Sequence, residues 1–318
     1  MDVMSDILGA LRLRGTLYFT TEFRRPWGLR VPAFRRVARF HLVMRGSCWV
    51  KVDALPAPVL LETGDLILIP HGAEHVLADT PDTPCRTVDD VVRSSGFTGE
   101  GSLVHGGEDG GGSTRLVCGH FAFDDAMEHA LLDQLPPAIV VRWDDAVRDS
   151  PLQDAFRFIT REVQDARPGH EVVVRRLSEV LFVQAVRFWA NDANATHGIL
   201  AALGDPRLTK ALKAIHAEPA APWTLATLGQ RAAMGRTAFA ETFRSVVGQT
   251  PLQYLTTWRI QKAKSLLLDT HLPLDRIAEQ VGYDSATSLS RVFRRATGAS
   301  PGAFRRAQDS TARRATSA

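Results

Sequence analysis

An internal repeat near the C-terminus constrains the fold more than any other feature of this sequence. Residues 228–254 resemble residues 277–304, and each stretch has the pattern of a helix, a tight turn and a second helix. The offset is 49 residues before the turn and 50 after it, because the second turn is one residue longer. The matched positions pair Phe239 with Leu289, Phe243 with Phe293, Gly248 with Gly298, Thr250-Pro251 with Ser300-Pro301 and Tyr254 with Phe304.

The last helix of the second copy has two different faces. Its apolar face, at helical spacing, consists of Leu289, Val292, Phe293 and Ala296. Its other side carries hydroxyls and guanidinium groups, from Thr287, Ser290, Arg291 and Arg294. Such a helix suits the major groove of DNA, where polar side chains reach base edges and phosphates. A polar face is also typical of an ordinary surface helix, so one copy alone leaves both interpretations open.

A long helix, residues 251–268, connects the two copies. Its apolar residues occupy more than one face, which is typical of a helix packed between two subdomains. Such a connector fixes the two polar-faced helices relative to each other. Helices about 34 Å apart would enter successive major grooves on one side of a duplex.

Length and composition fit a chain of two soluble domains. The sequence has 318 residues, of which 45% are hydrophobic and 23% charged. The cysteines, Cys48, Cys85 and Cys118, are scattered and odd in number, which argues against a disulfide framework. No apolar stretch approaches the roughly 20 residues of a membrane helix, and Met1–Arg14 lacks the pattern of a signal peptide. We therefore expect a cytoplasmic protein without a membrane partner.

Charge is distributed unevenly along the chain. Residues 204–318 contain 17 Lys and Arg against 8 Asp and Glu, whereas residues 1–203 contain 21 against 27. A basic C-terminal third on an acidic remainder suggests different partners for the two parts, with nucleic acid as the partner of the basic one.

Residues 1–147 have the pattern of a β domain. Short strands are predicted at 16–20, 38–44, 48–52, 59–62, 66–69 and 115–121, separated by Gly, Pro and Asp. The glycine-rich stretch 96–114 is expected to be a mobile loop.

Helices follow from about residue 150 to 190. Ser150-Pro151 is a helix start, and Arg167-Pro168-Gly169 ends the first helix. The next helix, around Val174–Trp189, carries apolar residues around most of its circumference. It therefore forms either a dimer surface or a contact with its own barrel.

The repeat region resembles the AraC/XylS family of bacterial transcription regulators over about residues 205–306. The residues that carry the resemblance are Ile277-Ala278, Val281-Gly282-Tyr283, Ser285, 290–295 (Ser-Arg-Val-Phe-Arg-Arg) and 298–306 (Gly-Ala-Ser-Pro-Gly-Ala-Phe-Arg-Arg). This resemblance implies a double helix-turn-helix that binds double-stranded DNA.

By the family's pattern, the exposed N-terminal part of each reading helix contacts bases. In the first helix this maps to Arg236, Thr237, Ala240 and Glu241, and in the second to Ala286, Thr287, Ser290 and Arg291, with Arg244 and Ser288 beside them. Two positions depart from the family: Ala240 is too small for a polar contact, and Glu241 either accepts from cytosine or pairs with Arg244. Phosphate contacts or a solvated basic face are expected for Arg294, Arg295, Arg305 and Arg306.

The N-terminal region resembles the cupin-type sensor domain of one AraC branch, over about residues 8–190. Gly64, Pro70, Gly72 and His75 have the spacing of a cupin motif, with Asp79 in place of the usual asparagine. The resemblance also rests on residues 40–43, 46–49, 117–121 and 131–137. Candidate pocket residues are Phe40, His41, Trp49, His75 and His120. The three histidines, with Cys118 as a softer ligand, can in principle hold a metal, but the usual His-x-His pair is absent. We expect no cofactor, and an organic ligand pocket or a purely structural barrel.

The sequence thus predicts an α+β chain of two domains. Residues 1–190 form a cupin-like β-barrel with flanking helices for sensing and dimerisation, 191–204 a linker, 205–306 an all-α double helix-turn-helix domain, and 307–318 a flexible tail. We expect a ligand-responsive transcription regulator and not an enzyme, whose partners are double-stranded DNA, a second copy in a homodimer, RNA polymerase and a small-molecule effector. The alternatives are a metal-dependent cupin enzyme with a DNA-binding tail, and a ligand-independent regulator whose barrel only dimerises.

Overall fold

The computed structural model describes residues 2–99, 101–107, 112–123, 130–143, 150–165, 167–191 and 196–307. The chain divides into two compact units: Arg12–Asp125 with Leu132–Asn194, and Met1–Leu11 with Ala126–Leu131 and Ala195–Ala318. The first residues, which form helix α1 (Val3–Ala10), therefore group with the C-terminal unit and not with the barrel. The reason lies in the apolar face of α1, where Val3, Ile7 and Leu8 are buried.

The β-rich unit consists of two sheets. Its strands are β1 (Arg14–Arg24), β2 (Gly28–Val31), β3 (Val37–Arg45), β4 (Ser47–Val52), β5 (Val59–Glu62), β6 (Leu66–Ile69), β7 (His75–Ala78), β8 (Arg86–Thr87), β9 (Ser102–Gly106), β10 (Ser113–Ala122) and β11 (Ile139–Val141). One sheet has the order β11-β6-β3-β10-β1-β9, and the other β5-β4-β7-β2-β8. Helices in the same stretch of chain are α2 (Val88–Ser95), α3 (Ala130–Asp133), α4 (Pro151–Asp165) and α5 (His170–Asn191).

Side chains alternate between the two faces of each strand, and this alternation builds the core. Inward-facing residues of both sheets form one buried cluster, which includes Leu29, Val43, Val50, Ile67, Leu77 and Leu116. The outer face of the larger sheet is covered by α5. There the Phe40 and Phe121 rings stack with centroids 5.1 Å apart, and Phe182 lies 5.1 Å from Phe121.

Helices α4 and α5 occupy the stretch from 150 to 190 where helices were expected. Ser150 begins α4, since its Oγ accepts a hydrogen bond from the backbone N–H of Gln153 at 3.3 Å. In α5, Val174, Leu181 and Val186 are buried, so this face packs on its own unit.

The glycine-rich stretch 96–114 is not one loop as expected. Residues Ser102–Gly106 form β9, which pairs in parallel with β1 from Thr20 to Arg24. Leu103 is fully buried between the sheets, and this apolar residue explains why the stretch is ordered there. Residues 108–111 lie outside the described part of the chain.

The C-terminal unit is helical. It contains α6 (Gly198–Gly204), α7 (Pro206–Ala217), α8 (Leu225–Arg231), α9 (Arg236–Val247), α10 (Pro251–Asp269), α11 (Leu274–Gln280) and α12 (Ala286–Thr297), and residues 301–307 are also helical. The prediction of a linker over residues 191–204 is partly wrong, because Ile199 and Leu200 are buried side chains of helix α6. Residues 192–195 and the tail from 308 lie outside the described residues. None of the described helices is long and apolar enough to cross a membrane.

The internal repeat is confirmed in three dimensions. The opening helices α8 and α11 have 7 residues each, and α9 and α12 have 12 each. Both longer helices end at a glycine in the left-handed region, Gly248 at φ 84° and Gly298 at φ 76°. Each copy also contains an edge-on aromatic pair, Phe243 with Tyr254 in the first and Phe293 with Phe304 in the second. The sequence match of Tyr254 with Phe304 predicts this equivalence.

Candidate nucleic-acid interface and inner cavity

Helix α9 presents the first set of predicted base-reading residues. Arg236, Thr237, Glu241 and Arg244 are exposed, and Ala240 is half-buried. The opposite face is anchored by Phe239 and Phe243, both fully buried with centroids 5.7 Å apart. Within the described part of the chain, Glu241 and Arg244 form no ion pair, so the carboxylate of Glu241 faces solvent.

Helix α12 presents the second set. Ser285 caps the helix, since its Oγ accepts from the N–H of Ser288 at 3.2 Å and donates to the Ser288 hydroxyl at 3.2 Å. The Ser288 side chain is therefore engaged at the helix start. The remaining predicted residues have exposed side chains (Thr287, Arg291, Arg294, Arg295) or half-buried ones (Ala286, Ser290).

Charge and packing together define what α12 can do. Its apolar back contributes Leu289 and Phe293 to a core with Ile277 and Val281 of the preceding helix-turn. No carboxylate belongs to α12 itself, whose sequence runs from Ala286 to Thr297. A rigid helix with three arginines and several hydroxyls on its free side matches the donors that phosphates and base edges require.

Arg305 has a structural role that the sequence analysis did not assign to it. Its Nε donates to the carbonyl of Leu267 at 3.2 Å, and its Nη2 donates to the carbonyl of Leu272 at 3.0 Å. These bonds attach the last described helical residues to the end of α10. The expectation of a phosphate contact or a solvated face is therefore corrected for Arg305, whereas Arg306 is exposed.

A buried histidine in the C-terminal unit was also missed. His216 of α7 donates from Nδ1 to Asp6 of α1 at 3.2 Å and accepts at Nε2 from the Tyr254 hydroxyl at 2.7 Å. Its ring stacks on Trp258 with centroids 3.9 Å apart. Burial, with the charge of Lys262 adding to it, lowers the pKa of His216 to about 3. The Asp6 contact is therefore a hydrogen bond of a neutral imidazole.

Two of the predicted pocket residues, His41 and His75, meet the candidate metal ligand Cys118 between the sheets of the β-rich unit. The Nε2 atoms of His41 and His75 lie 2.7 Å apart, and Nδ1 of His41 lies 3.1 Å from Sγ of Cys118. His75 must donate from Nδ1 to the carbonyl of Ala73, 2.8 Å away, because a carbonyl only accepts. In the neutral state the chain then runs in one direction: the Cys118 thiol donates to His41, and His41 donates to His75.

These three side chains do not fit a metal site. Cys118 and His75 bind opposite edges of the His41 ring, so their donor atoms do not converge on one point. Among the described residues, no group of three or more His, Cys, Asp or Glu side chains is arranged to hold a metal ion. Burial lowers the pKa of His75 to about 4 and that of His41 well below its usual value, so both rings are neutral at neutral pH.

The other predicted pocket residues lie elsewhere. Phe40 is on the outer face of β3, against Phe121, because side chains alternate along the strand. Trp49 is half-buried on β4 between the inward-facing Cys48 and Val50, so it points away from the core. His120 shares the inner face with Cys118 and is paired in register with Arg39, but it does not line the cavity.

A cavity of about 210 Å³ lies beside the histidine pair and is bounded by both sheets and α2. Its wall includes His41, Cys118 and the buried Arg39. Arg39 was not among the predicted pocket residues, although its spacing from His41 on β3 places both on the same face.

Comparisons with known proteins agree with this division. A cupin family model matches residues 2–191, and a helix-turn-helix domain model matches residues 228–307. An AraC-like transcription regulator of Streptomyces lividans is 33% identical over 307 residues, which cover 96% of this chain and 98% of that protein. Another from Streptomyces antibioticus is 32% identical over 310 residues, covering 96% and 99%. The solved DNA-binding domain of AdpA, a global transcriptional factor in complex with a target DNA, is 34% identical, with 34% of this chain and 96% of that one covered and a TM-score of 0.32.

Proposed function

Because this chain belongs to the AraC family of transcription regulators, we propose that it reads two successive major grooves of double-stranded DNA with α9 and α12. The observation that carries the proposal is the repeated geometry of these two 12-residue helices, each backed by a buried phenylalanine and each polar on its free side. The connecting helix α10 fixes their separation. Binding in this way controls transcription from nearby bacterial promoters.

Different roles are proposed for different side chains of the two helices. Thr287, Ser290 and Arg291 read bases in the second groove, and Arg236, Thr237, Ala240 and Glu241 face the first. Arg244, Arg294 and Arg295 lie further along their helices and contact phosphates. Since α12 offers more donors than α9, it carries more of the sequence specificity.

A small-molecule effector is proposed for the β-rich unit. The cavity beside His41 supports this proposal, because it combines an apolar wall with a few polar groups, as ligand pockets do. An effector shifts the regulator between two arrangements only if it binds one of them more tightly. A purely structural barrel is the alternative, and ligand binding distinguishes the two.

A homodimer is the proposed assembly. The helix pair α4 and α5 exposes four large apolar residues, Phe158, Val172, Val173 and Val180. Exposed apolar residues on neighbouring helices are typical of a surface that a second copy covers. RNA polymerase is a further proposed partner, which this protein contacts if it activates transcription.

No catalytic role is proposed. The divergent arrangement of His75 and Cys118 around His41 does not favour the alternative of a metal-dependent cupin enzyme. The full-length relatives described above are transcription regulators.

The test uses full-length protein and a DNA site selected from a random pool. Arg291→Ala should weaken binding to the selected site by about 1–3 kcal/mol and relax the base preference at one position. Arg294→Ala is the matched control, since loss of a phosphate contact should weaken binding to selected and unrelated DNA alike. Unchanged affinity of the Arg291 variant for the selected site would remove α12 from the proposed readout.

A further inference from the structure

The inner cavity has a mostly hydrocarbon wall. Aliphatic side chains line it from both the smaller sheet and α2: Leu29, Val31, Leu77, Val88 and Val92. The first three are buried residues of the core between the sheets, and the two valines of α2 pack against that core. A ligand in contact with these side chains gains free energy, because its apolar surface is removed from water.

Two polar residues of the wall, His41 and Cys118, are uncharged and already bonded to other groups of the protein. Nδ1 of His41 lies 3.1 Å from Sγ of Cys118, and its Nε2 lies 2.7 Å from Nε2 of His75. Burial lowers the pKa of His41 well below its usual value and raises the pKa of the Cys118 thiol above its usual value. Near neutral pH the imidazole and the thiol are therefore neutral, and both ring nitrogens of His41 are used within the protein.

Arg39 does not supply a free counter-charge for a ligand, because it already has an interaction partner within the protein. Its guanidinium carbon also lies 4.8 Å from the ring centroid of Phe34. A ligand carboxylate in this cavity would leave water without gaining an unpaired cation. Ionised groups are strongly disfavoured in a mostly apolar site under that condition.

The carboxylate of Asp89 does not favour a charged ligand either. Asp89 stands at the start of α2, lines the cavity and is exposed to water. An ion pair in contact with water contributes little, so a cationic ligand gains little from this carboxylate. The same negative charge repels an anion.

We propose that this cavity binds a small uncharged, hydrocarbon-like molecule, which is held by packing against Leu29, Leu77 and Val92 and not by an ion pair. This inference rests on the proposed function, since it names the chemical class of the effector. Phe34, which is 52% exposed and forms part of the same wall, extends the apolar surface to the outside of the cavity.

The volume sets the size of the ligand. An apolar protein cavity of about 150 Å³ holds a benzene molecule. A cavity of about 210 Å³ therefore accommodates one ring with a short alkyl group, or a branched alkane of similar bulk.

Calorimetric titration of the full-length protein tests the requirement for a neutral ligand. The probes are toluene, benzoate and benzylamine, which share one ring and are neutral, anionic and cationic at neutral pH. We expect toluene to bind with a Kd below about 1 mM, and both charged probes to bind at least about tenfold more weakly. A toluene Kd weaker than about 1 mM would overturn the ligand class. Binding of either charged probe as tightly as toluene would overturn the requirement for neutrality.

Variants that fill the cavity locate the site. Val92→Phe adds a ring to the wall from the half-buried face of α2, and we expect it to weaken toluene binding at least about tenfold. Val88→Phe, one turn earlier on the same helix, is the second filling variant should Val92→Phe not fold. The matched control is Val104→Phe, at a valine that is 50% exposed and does not line the cavity, and it should bind toluene like the wild-type protein. Wild-type toluene affinity in a folded filling variant would contradict the location.

Specific DNA binding, measured on the same preparation, separates this inference from the proposed function. Selective DNA binding without toluene binding rejects the ligand class alone. Loss of selective DNA binding in the wild-type protein would reject the regulator itself, whatever the calorimetry gives.

Discussion

The guanidinium carbon of Arg259 lies 5.6 Å from the ring centroid of Tyr283, so the connecting helix α10 meets the turn of the second helix-turn-helix directly. The same side chain donates from Nε to the carbonyl of Pro219 at 2.7 Å and from Nη2 to the carbonyl of Ala221 at 3.0 Å. Both carbonyls precede α8, the opening helix of the first copy. One arginine therefore joins the two copies of the repeat.

Arg259→Lys should weaken this junction, because an ammonium group cannot reproduce the two-donor fork and the stacking together. We expect a loss of about 1–3 kcal/mol in the free energy of unfolding. We also expect a loss of affinity for DNA that contains both the element contacted by α9 and the element contacted by α12. Denaturant unfolding and gel-shift titration measure these effects. Arg276→Lys is the control, since Arg276 is exposed and pairs only with Glu279 on its own helix. Equal behaviour of the two variants would refute a special role for Arg259.

A methyl group is unfavourable at both turns of the repeat, so removing one and adding one should change stability in opposite directions. Ala233 occupies the left-handed region with φ 53°, and its counterpart Gly282 has φ 82°. Ala233→Gly should stabilise the protein by about 0.5–1 kcal/mol, since it relieves the strain of a Cβ in that region. Gly282→Ala should destabilise it, because the new Cβ would also meet Cα of Ala220 at 2.7 Å. Thermal or denaturant unfolding of both variants checks the signs, and a stabilised Gly282 variant would contradict the packing.

His216 should make stability depend on pH. Burial holds its pKa at about 3 in the folded state against 6.5 for an ordinary histidine, and Asp6, Tyr254 and Lys262 surround it. Its contribution is complete above pH 6.5 and declines as the pH falls toward 3, because only the unfolded chain then takes up the proton. The slope is at most about 1.4 kcal/mol per pH unit.

The measurement compares the wild-type protein with His216→Gln, by denaturant unfolding between neutral pH and about pH 5. The variant should be less stable at neutral pH but lose less stability on acidification. The buried pair His41 and His75 acts in the same direction in both proteins, so only the difference in slope is diagnostic. Identical slopes would mean that His216 does not titrate as described.

The helix pair α4 and α5 predicts the oligomeric state. Val173 and Val180 lie two turns apart on α5 and are 37% and 45% exposed. Replacing both with Glu should convert a dimer to a monomer without loss of the fold, because charges are costly in an apolar interface. Val104→Glu, at a valine that is 50% exposed on β9, is the control. Light scattering on the eluting protein gives the mass, and an unchanged mass of the double variant would exclude this surface.

Much of the fold was predictable from local sequence signals. The strands Val59–Glu62 and Leu66–Ile69 agree with the predicted residues, because turn residues bound short runs of β-branched and leucine side chains. The repeat was predictable because glycine and phenylalanine recur at fixed offsets. By contrast, β9 lies in a glycine-rich stretch, where the burial of one residue, Leu103, outweighs composition.

Contacts between distant parts of the chain were not predictable in this way. Nothing near Asp6 indicates that it accepts from His216, because that contact depends on tertiary packing. The candidate pocket residues His41 and His75 lie side by side, whereas Arg39, which lines the cavity, had the appearance of a surface arginine in the sequence. Phe40 and Trp49 lie on the outer faces of their strands, because neighbouring side chains along a strand alternate between the two faces.

The proposal that α9 and α12 read two successive major grooves is tested most directly by the spacing between the two DNA elements that they contact. A site is selected from random DNA with the full-length protein, footprinted, and compared with the same site carrying about 5 extra base pairs between its two protected elements, half a helical turn. Since α10 fixes α9 and α12 relative to each other, we predict two elements about one turn apart and at least a tenfold loss of affinity on insertion. A single protected element, or affinity that survives the insertion, would contradict the account.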